Sequence, residues 1–410
     1  MTVTEQPATS GRGTFRSLRI RNYRLFFVGQ LLSMCGTWMS SIAQTTYVLY
    51  RLDGKGRELG LLSAATFTPI LLFTLWAGTV ADRSDKRRML VRIQIFFVIV
   101  ATTQTVLVAS GHATVTTLCG IAFLMGCGNA MEMPTRQAFV SELVGPDDLA
   151  NAVGLNSALF NSGRVVGQAI GGVLVATVGY SWCFGLNAAS FTAILVGLLM
   201  IRATELHPLQ RAVRAKGQIR DGLAHVRDTP VLATVIVLVF ITGTLALNFQ
   251  VFIPLLAKEV FHGGESKVAQ FQVILGIGSL SGSLVAAGRK RPTGYRLAGA
   301  AALFGVALAL AGATTVEPLT WIGLYLAGAG YITFMLTANA TLQLHSDPTR
   351  RGRVMALYSL VFAGTTPFGA PLVGWVSDRF GAQASINVGA FAALFTGALG
   401  IVATRRRLLP

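Results

Sequence analysis

The sequence predicts an all-α membrane protein with twelve transmembrane helices arranged as two pseudo-symmetric six-helix bundles. Three observations carry that expectation. Of 410 residues, 52% are apolar and only 12% are charged, about half of the roughly 25% charge usual in soluble domains. The apolar residues gather into twelve runs, each long enough to cross about 30 Å of hydrocarbon. The basic residues, 34 Lys and Arg against 17 Asp and Glu, stand between those runs rather than on one folded face, which argues for membrane topology and against a nucleic-acid partner.

The first six runs are 24–50, 58–80, 89–110, 114–137, 149–178 and 182–202, called spans 1 to 6. Span 1 follows a polar tail containing Arg12, Arg16, Arg19 and Arg21. It is too long for a signal-peptide core, so it is read as retained. Spans 7 to 12 are 230–258, 267–287, 295–314, 319–343, 353–377 and 384–404. If the chain starts inside, the cytoplasmic side collects 27 basic residues and the outer side six, and the one remaining, Arg164, lies near the middle of a span. Cytoplasmic connections carry the Lys/Arg excess, so both termini are expected in the cytoplasm.

The longest hydrophilic connection, 203–229, separates six spans from six. The expected organisation is a tail (1–22), a bundle (23–202), that central loop, a second bundle (230–404) and a short tail (405–410). Residues 138–188 align without gaps to 340–390, with identities that include Ala138/Ala340, Pro146/Pro348, Gly167/Gly369, Gly172/Gly374 and Gly179/Gly381. Two related bundles with a site between them near mid-membrane follow from such a repeat.

The segment GTVADRSDKRRML (Gly78 to Leu90) between spans 2 and 3 resembles the signature loop of the major facilitator superfamily. The stretch from Pro134 to Gly172 is similar to the drug and siderophore exporter branch, the enterobactin-exporter-like transporters. The resemblance implies the major facilitator fold in a bacterial cytoplasmic membrane. It also implies that Gly78, Asp82, Arg83, Lys86, Arg87 and Arg88 form a latch in which Asp82 faces the start of span 11 in the outward-open state. Two departures limit this: Asp85 replaces the usual second glycine, and Ala286 stands where the C-terminal counterpart would carry its Asp. As an alternative, the cations only enforce topology and meet anionic lipid.

Span 5 is the most informative run. Ser157, Asn161, Arg164 and Gln168 share a polar stripe within about 60°, and Gly163, Gly167 and Gly171 form a packing ridge about 100° away. The segment resembles an exporter motif, but Gln168 replaces that motif's proline. A lone cation at the depth of Arg164 costs at least about 2.5 kcal/mol unless it finds a partner or water. On span 4, Asn129, Glu132 and Arg136 share a face, and Glu132 is the one acid well inside a predicted span. Glu132 is thus a candidate proton-coupling or substrate group, with Arg164 its modulator or an anion site. Equally open is a plain role in which Glu132 neutralises Arg136 one turn away.

Span 1 carries a second stripe, Gln30, Ser33, Thr37, Ser41 and Gln44, either a cavity wall or interhelical hydrogen bonding. Trp38, Asn248, Phe249, Gln250, Thr333 and Thr337 are weaker candidates. No phosphate-binding loop occurs, so an ion gradient rather than ATP is the expected energy source. The four cysteines lack metal-ligand or disulfide spacing, and no catalytic constellation stands out. The expectation is a non-enzymatic secondary transporter without cofactor or metal, active as a monomer in the lipid bilayer, that exports a small-molecule substrate in exchange for protons. The substrate is an amphipathic drug or secreted natural product; the alternatives are a dedicated siderophore exporter and a non-transporting membrane sensor or scaffold.

Overall fold

The computed structural model describes residues 15–207, 218–287, 292–347 and 350–410, and leaves out the side chains of Leu75, Asp82, Asn161, 218–222 and Ala287. Among the described residues the regular structure is helical. In hydrocarbon every backbone polar group must be bonded within the chain, and a helix does that within one segment. Ten helices among the described residues are long and apolar enough to cross a membrane. One of them, Val115–Thr177, breaks at Gly145, where φ is +70°. Gln44 of span 1 donates to the Leu118 carbonyl, and Ile42 of the same span faces Gly171. Residues 118 and 171 therefore lie side by side, so the chain reverses at Gly145 and this helix supplies both span 4 and span 5. Helix Gly56–Arg83, with charges at its two ends, makes the twelfth crossing as span 2.

The remaining spans are Arg21–Tyr50 (span 1), Lys86–Ala109 (3), Tyr180–Leu199 (6), Glu265–Ala287 (8), Gly294–Ala313 (9), Glu317–His345 (10) and Ala382–Arg405 (12). Two spans are broken near their middles. Span 7 runs Pro230–Leu245 and resumes at Phe249, and Asn248 Nδ2 covers the Thr244 carbonyl at 2.8 Å. Span 11 runs Arg351–Gly364 and Thr366–Phe380, with Pro367 opening its second piece as a residue that lacks an N–H. The connection 203–229, read from sequence only as a hydrophilic loop, contains a helix at Gln218–Asp228.

The internal repeat has a backbone counterpart. Gly179 (φ +92°) and Gly381 (φ +87°) each make the turn into the following span, in the left-handed region that only glycine enters freely. The first and last described residues pack at the same end of the bundle. Ser17 Oγ donates to Asn151 Oδ1 at 2.8 Å beside the span 4–5 reversal, and the Gly294 amide donates to the Pro410 carbonyl.

Among the described residues, the close approaches between the two halves lie at mid-depth and at the far end from the termini. At that far end Lys258 Nζ caps the Leu49 carbonyl at 2.6 Å, and Tyr50 donates to the Gly263 carbonyl at 2.6 Å. The Tyr180 hydroxyl reaches Glu265 at 2.8 Å. The halves are thus closed against each other away from the termini.

Candidate transport site

The glycine ridge of span 5 packs on span 1. A Cβ at Gly167 would lie 2.5 Å from the Cys35 carbonyl oxygen, one at Gly163 would lie 2.9 Å from Met34 Cβ, and one at Gly171 would lie 2.6 Å from Ile42 Cγ2. Backbone meets backbone along this face. That close fit fixes the rotation of span 5 and turns Arg164 and Gln168 toward the C-terminal half.

Arg164 reaches across the two halves. Its guanidinium lies close enough to the Tyr331 hydroxyl on span 10 for the two to interact electrostatically, and its Nε and Nη2 atoms are buried without a hydrogen-bond partner. One turn further along, buried Gln168 donates its side-chain amide to Gln272 on span 8. Aromatic rings surround these groups. Phe249 packs against Tyr331 at 5.6 Å between ring centres, and Trp38, whose Nε1 is also buried and unpartnered, packs edge-on to Phe160 at 6.1 Å. The result is a mid-depth layer of one cation, two amides and several aromatic rings, with elements from both halves.

Glu132 and Arg164 are not brought together. Glu132 Oε1 lies 3.7 Å from Arg136 Nε, one turn away on span 4, and both side chains are about 7% exposed. The plain pairing is what the structure contains, because an i,i+4 neighbour on the same helix is in reach with no tertiary rearrangement. The distance is long for a hydrogen bond, and Arg136 Nε and Nη1 stay unpartnered.

The span 1 stripe divides. Ser41 Oγ approaches Gln250 of span 7 at 3.4 Å, so this position does face the mid-depth layer. Gln44 is occupied by the Leu118 carbonyl at 3.1 Å, and Thr37 by the Ser33 carbonyl at 2.9 Å. Gln30 and Ser33 are buried, and Gln30 Oε1 has no partner. Asn129 is half-buried, Ser157 is exposed, and the Asn161 side chain lies outside the described residues. Sequence reasoning missed Tyr331 and Gln272. Gln272 was in principle findable as an amide in an apolar run; Tyr331 carried no signal, since an in-span tyrosine is equally at home among lipids or in a core.

The sequence profile of the transmembrane secretion effectors, a family of major facilitator transporters, matches residues 12–408. The chain belongs to this family. A staphyloferrin A transporter from Staphylococcus aureus is 26% identical over 373 residues, covering 89% of this chain and 92% of the relative. The multidrug efflux pump Tap of Mycolicibacterium fortuitum is 23% identical over 398 residues, covering 94% and 96%. Among solved structures, a bacterial homologue of the human lysosomal transporter Spinster, inward-facing and unoccupied, superposes with a TM-score of 0.72 at 14% identity, covering 94% of this chain and 96% of that one. A POT family transporter gives 0.75 at 12%, covering 96% and 99%. These likenesses place the chain among multi-pass membrane transporters with bacterial relatives, on the major facilitator fold, and not among enzymes.

The signature loop of this secretion effector is engaged inside its own half. Arg87 donates Nε to the Leu198 carbonyl at 2.9 Å and Nη2 to the Leu199 carbonyl at 2.8 Å, capping span 6. Lys86 pairs with Glu142 of span 4 at 3.2 Å. Asp85 caps span 3 through the Arg88 amide at 2.9 Å, and the exposed Arg88 side chain lies 3.6 Å from Asp85. Arg83 is exposed, Gly78 is half-buried, and the Asp82 side chain lies outside the described residues. Helix C-termini attract cations, which is why Arg87 finds its carbonyl partners at the end of span 6 in its own half.

Proposed function

We propose that this family member is a secondary active exporter of small amphipathic compounds, powered by protons and working by alternating access. The observation that carries the proposal is Arg164, a guanidinium at mid-depth that interacts electrostatically with Tyr331 of the other half while two of its nitrogens remain unpartnered. An unpaired cation in a membrane interior is costly and is kept where it binds cargo or moves charge. The surrounding rings suit the apolar part of a cargo, and Arg164 suits an acidic group on it.

In this scheme the bundles 23–202 and 230–404 rock about the mid-depth layer, 203–229 tethers them, and the termini-bearing end faces the cytoplasm, in line with the 27 basic residues counted there. The far end would then be closed and the site would load from inside. Glu132, paired with Arg136, is the proposed coupling group. Protonation neutralises its carboxylate and leaves Arg136 uncompensated, so proton entry and rearrangement of span 4 are linked. Gly78, Asp82, Arg83, Arg87 and Arg88 are proposed as a latch for the opposite state. Gln30, Ser33, Thr37, Ser41, Gln44, Asn129, Ser157, Asn161 and Gln168 are proposed to line the path.

A dedicated siderophore exporter is the second reading, favoured by the acid-binding character of Arg164 and by the name of the staphyloferrin A transporter among the relatives. Inside-out vesicles offered dyes, drugs and siderophores with an imposed pH gradient test both. Gradient-dependent accumulation is expected, and accumulation restricted to polycarboxylates would select the second reading. No accumulation across the panel would overturn export and favour a sensor. Undiminished coupling in Glu132→Gln would remove the proton role from that residue.

A further inference from the structure

At the seam of spans 1 and 5 the mid-depth layer holds three buried nitrogens that donate to nothing: Trp38 Nε1 and the Nε and Nη2 atoms of Arg164. Positions i, i+4 and i+7 of a helix fall within about 60° of one another, so Phe160, Arg164 and Gly167 share one face of span 5. Trp38 lies along that face. A Cβ at Gly167 would lie 3.0 Å from Trp38 Cβ, while the Trp38 ring packs edge-on to Phe160 at 6.1 Å. Spans 1 and 5 run in the same direction, since Gly163 meets Met34 and Gly171 meets Ile42. The indole leans toward the start of its own helix, as long helical side chains do, and so passes the level of Arg164. One turn further along span 1, Ser41 approaches Gln250 of span 7 at 3.4 Å. This side of span 1 therefore fronts the C-terminal half, as Arg164 does.

The free atoms have a definite shape. Nε and Nη2 form one edge of the guanidinium, whose two parallel N–H bonds are spaced to meet both oxygens of a carboxylate. The indole N–H adds a single donor beside them. The acid of this half's interior does not answer them, because Glu132 is held by Arg136 on span 4. Tyr331, which interacts with the Arg164 guanidinium, packs against Phe249 at 5.6 Å, so rings of both halves border the three donors. One cation at this depth is balanced by one negative charge, and a second would stand uncompensated in the membrane interior.

We infer that the Nε–Nη2 edge of Arg164 and the indole N–H of Trp38 form a carboxylate receptor, and that its cargo is a flat aromatic monocarboxylate whose ring lies among Phe160, Phe249 and Tyr331. Trp38 is then a specificity-determining residue: it reads the carboxylate oxygens that Arg164 alone would hold by charge. The receptor rests on the mid-depth layer being the transport site, as proposed above, but on neither the direction of transport nor the coupling ion.

The test reads binding alone. Equilibrium dialysis of the full-length chain in nanodiscs measures naphthoate, its neutral analogue naphthamide, and citrate. Naphthoate is expected to bind best. Trp38→Phe keeps a ring and removes the N–H, so it should weaken naphthoate roughly tenfold, the worth of one charged hydrogen bond, and naphthamide by about threefold or less. Arg164→Gln should weaken naphthoate as well, and the double variant should lose less than the two losses combined, because both donors hold one group. Equal losses for naphthoate and naphthamide in Trp38→Phe would make Trp38 a packing residue and overturn the receptor. Citrate binding more tightly than naphthoate, or no naphthoate binding at millimolar concentration, would do the same. If Trp38→Phe does not fold, benzothienylalanine introduced at position 38 decides instead, since it keeps the indole shape with sulfur in place of N–H. Binding in nanodiscs needs no gradient, so a failed export assay leaves this result standing. A naphthoate site indifferent to Trp38 would remove the receptor and leave export standing.

Discussion

Two glycines of span 5 make the sharpest test of how the transport site is held. Gly167 and Gly154 lie on the same helix, and each is to be changed to alanine. At Gly154 an added Cβ meets nothing within 4 Å, so alanine keeps its helical advantage, up to about 1 kcal/mol. At Gly167 the same methyl would lie 2.5 Å from the Cys35 carbonyl oxygen and 3.0 Å from Cys35 Cα and Trp38 Cβ. The first two neighbours are backbone and cannot rotate away, so span 5 must move off span 1. Overpacking of this kind costs about 1–3 kcal/mol. Gly167→Ala is therefore expected to be destabilised by about 1–2 kcal/mol net, and Gly154→Ala to be unchanged or stabilised. Unfolding of the purified protein in mixed detergent micelles measures both. The shift in span 5 also moves Arg164 and Gln168, so Gly167→Ala should lose transport even where it remains folded. If Gly167→Ala gains stability as Gly154→Ala does, the ridge is not the contact that fixes span 5.

Three further outcomes follow from the same geometry. Arg164→Gln should cut transport of acidic cargo about tenfold or more, the worth of a charged hydrogen bond, and affect neutral dyes far less; equal loss for all cargo would mean a structural role. A double-mutant cycle on Gln168→Leu and Gln272→Leu should give a coupling of about 0.6 kcal/mol in unfolding, the usual size inside membranes, and additive effects would show that the amide pair does not join the halves. Arg87→Ala removes two bonds to the last carbonyls of span 6 and should destabilise the chain by about 1 kcal/mol, with Arg88→Ala, whose side chain is exposed, as a near-neutral control.

Most of the fold was legible in the sequence, because a bilayer imposes a rule that needs no tertiary knowledge: apolar runs of a fixed length, charges between them, and positive charge biased to one side. The repeat was legible for the same reason, as Gly179 and Gly381 sit at equivalent turns and both take positive φ. The reversal at Gly145 falls in the connection that the sequence places between spans 4 and 5, and there the helical backbone breaks at φ +70°. The breaks within spans 7 and 11 were not foreseen, since they depend on side chains such as Asn248 covering carbonyls after the chain has folded.

The site was legible in part. The sequence by itself determined that Arg164 and Glu132 are anomalous, because a charge in hydrocarbon is anomalous wherever its partner lies. It also determined the glycine ridge and the twelve crossings, since these are periodicities along one helix or one chain. Only the tertiary structure decided the partners. It gave Glu132 to Arg136 on its own helix and Arg164 to Tyr331 on the other half, and it set Asp378 over the start of span 2. Those pairings join residues up to 322 positions apart, and helical periodicity says which face a residue occupies but not which distant helix will come to lie against it.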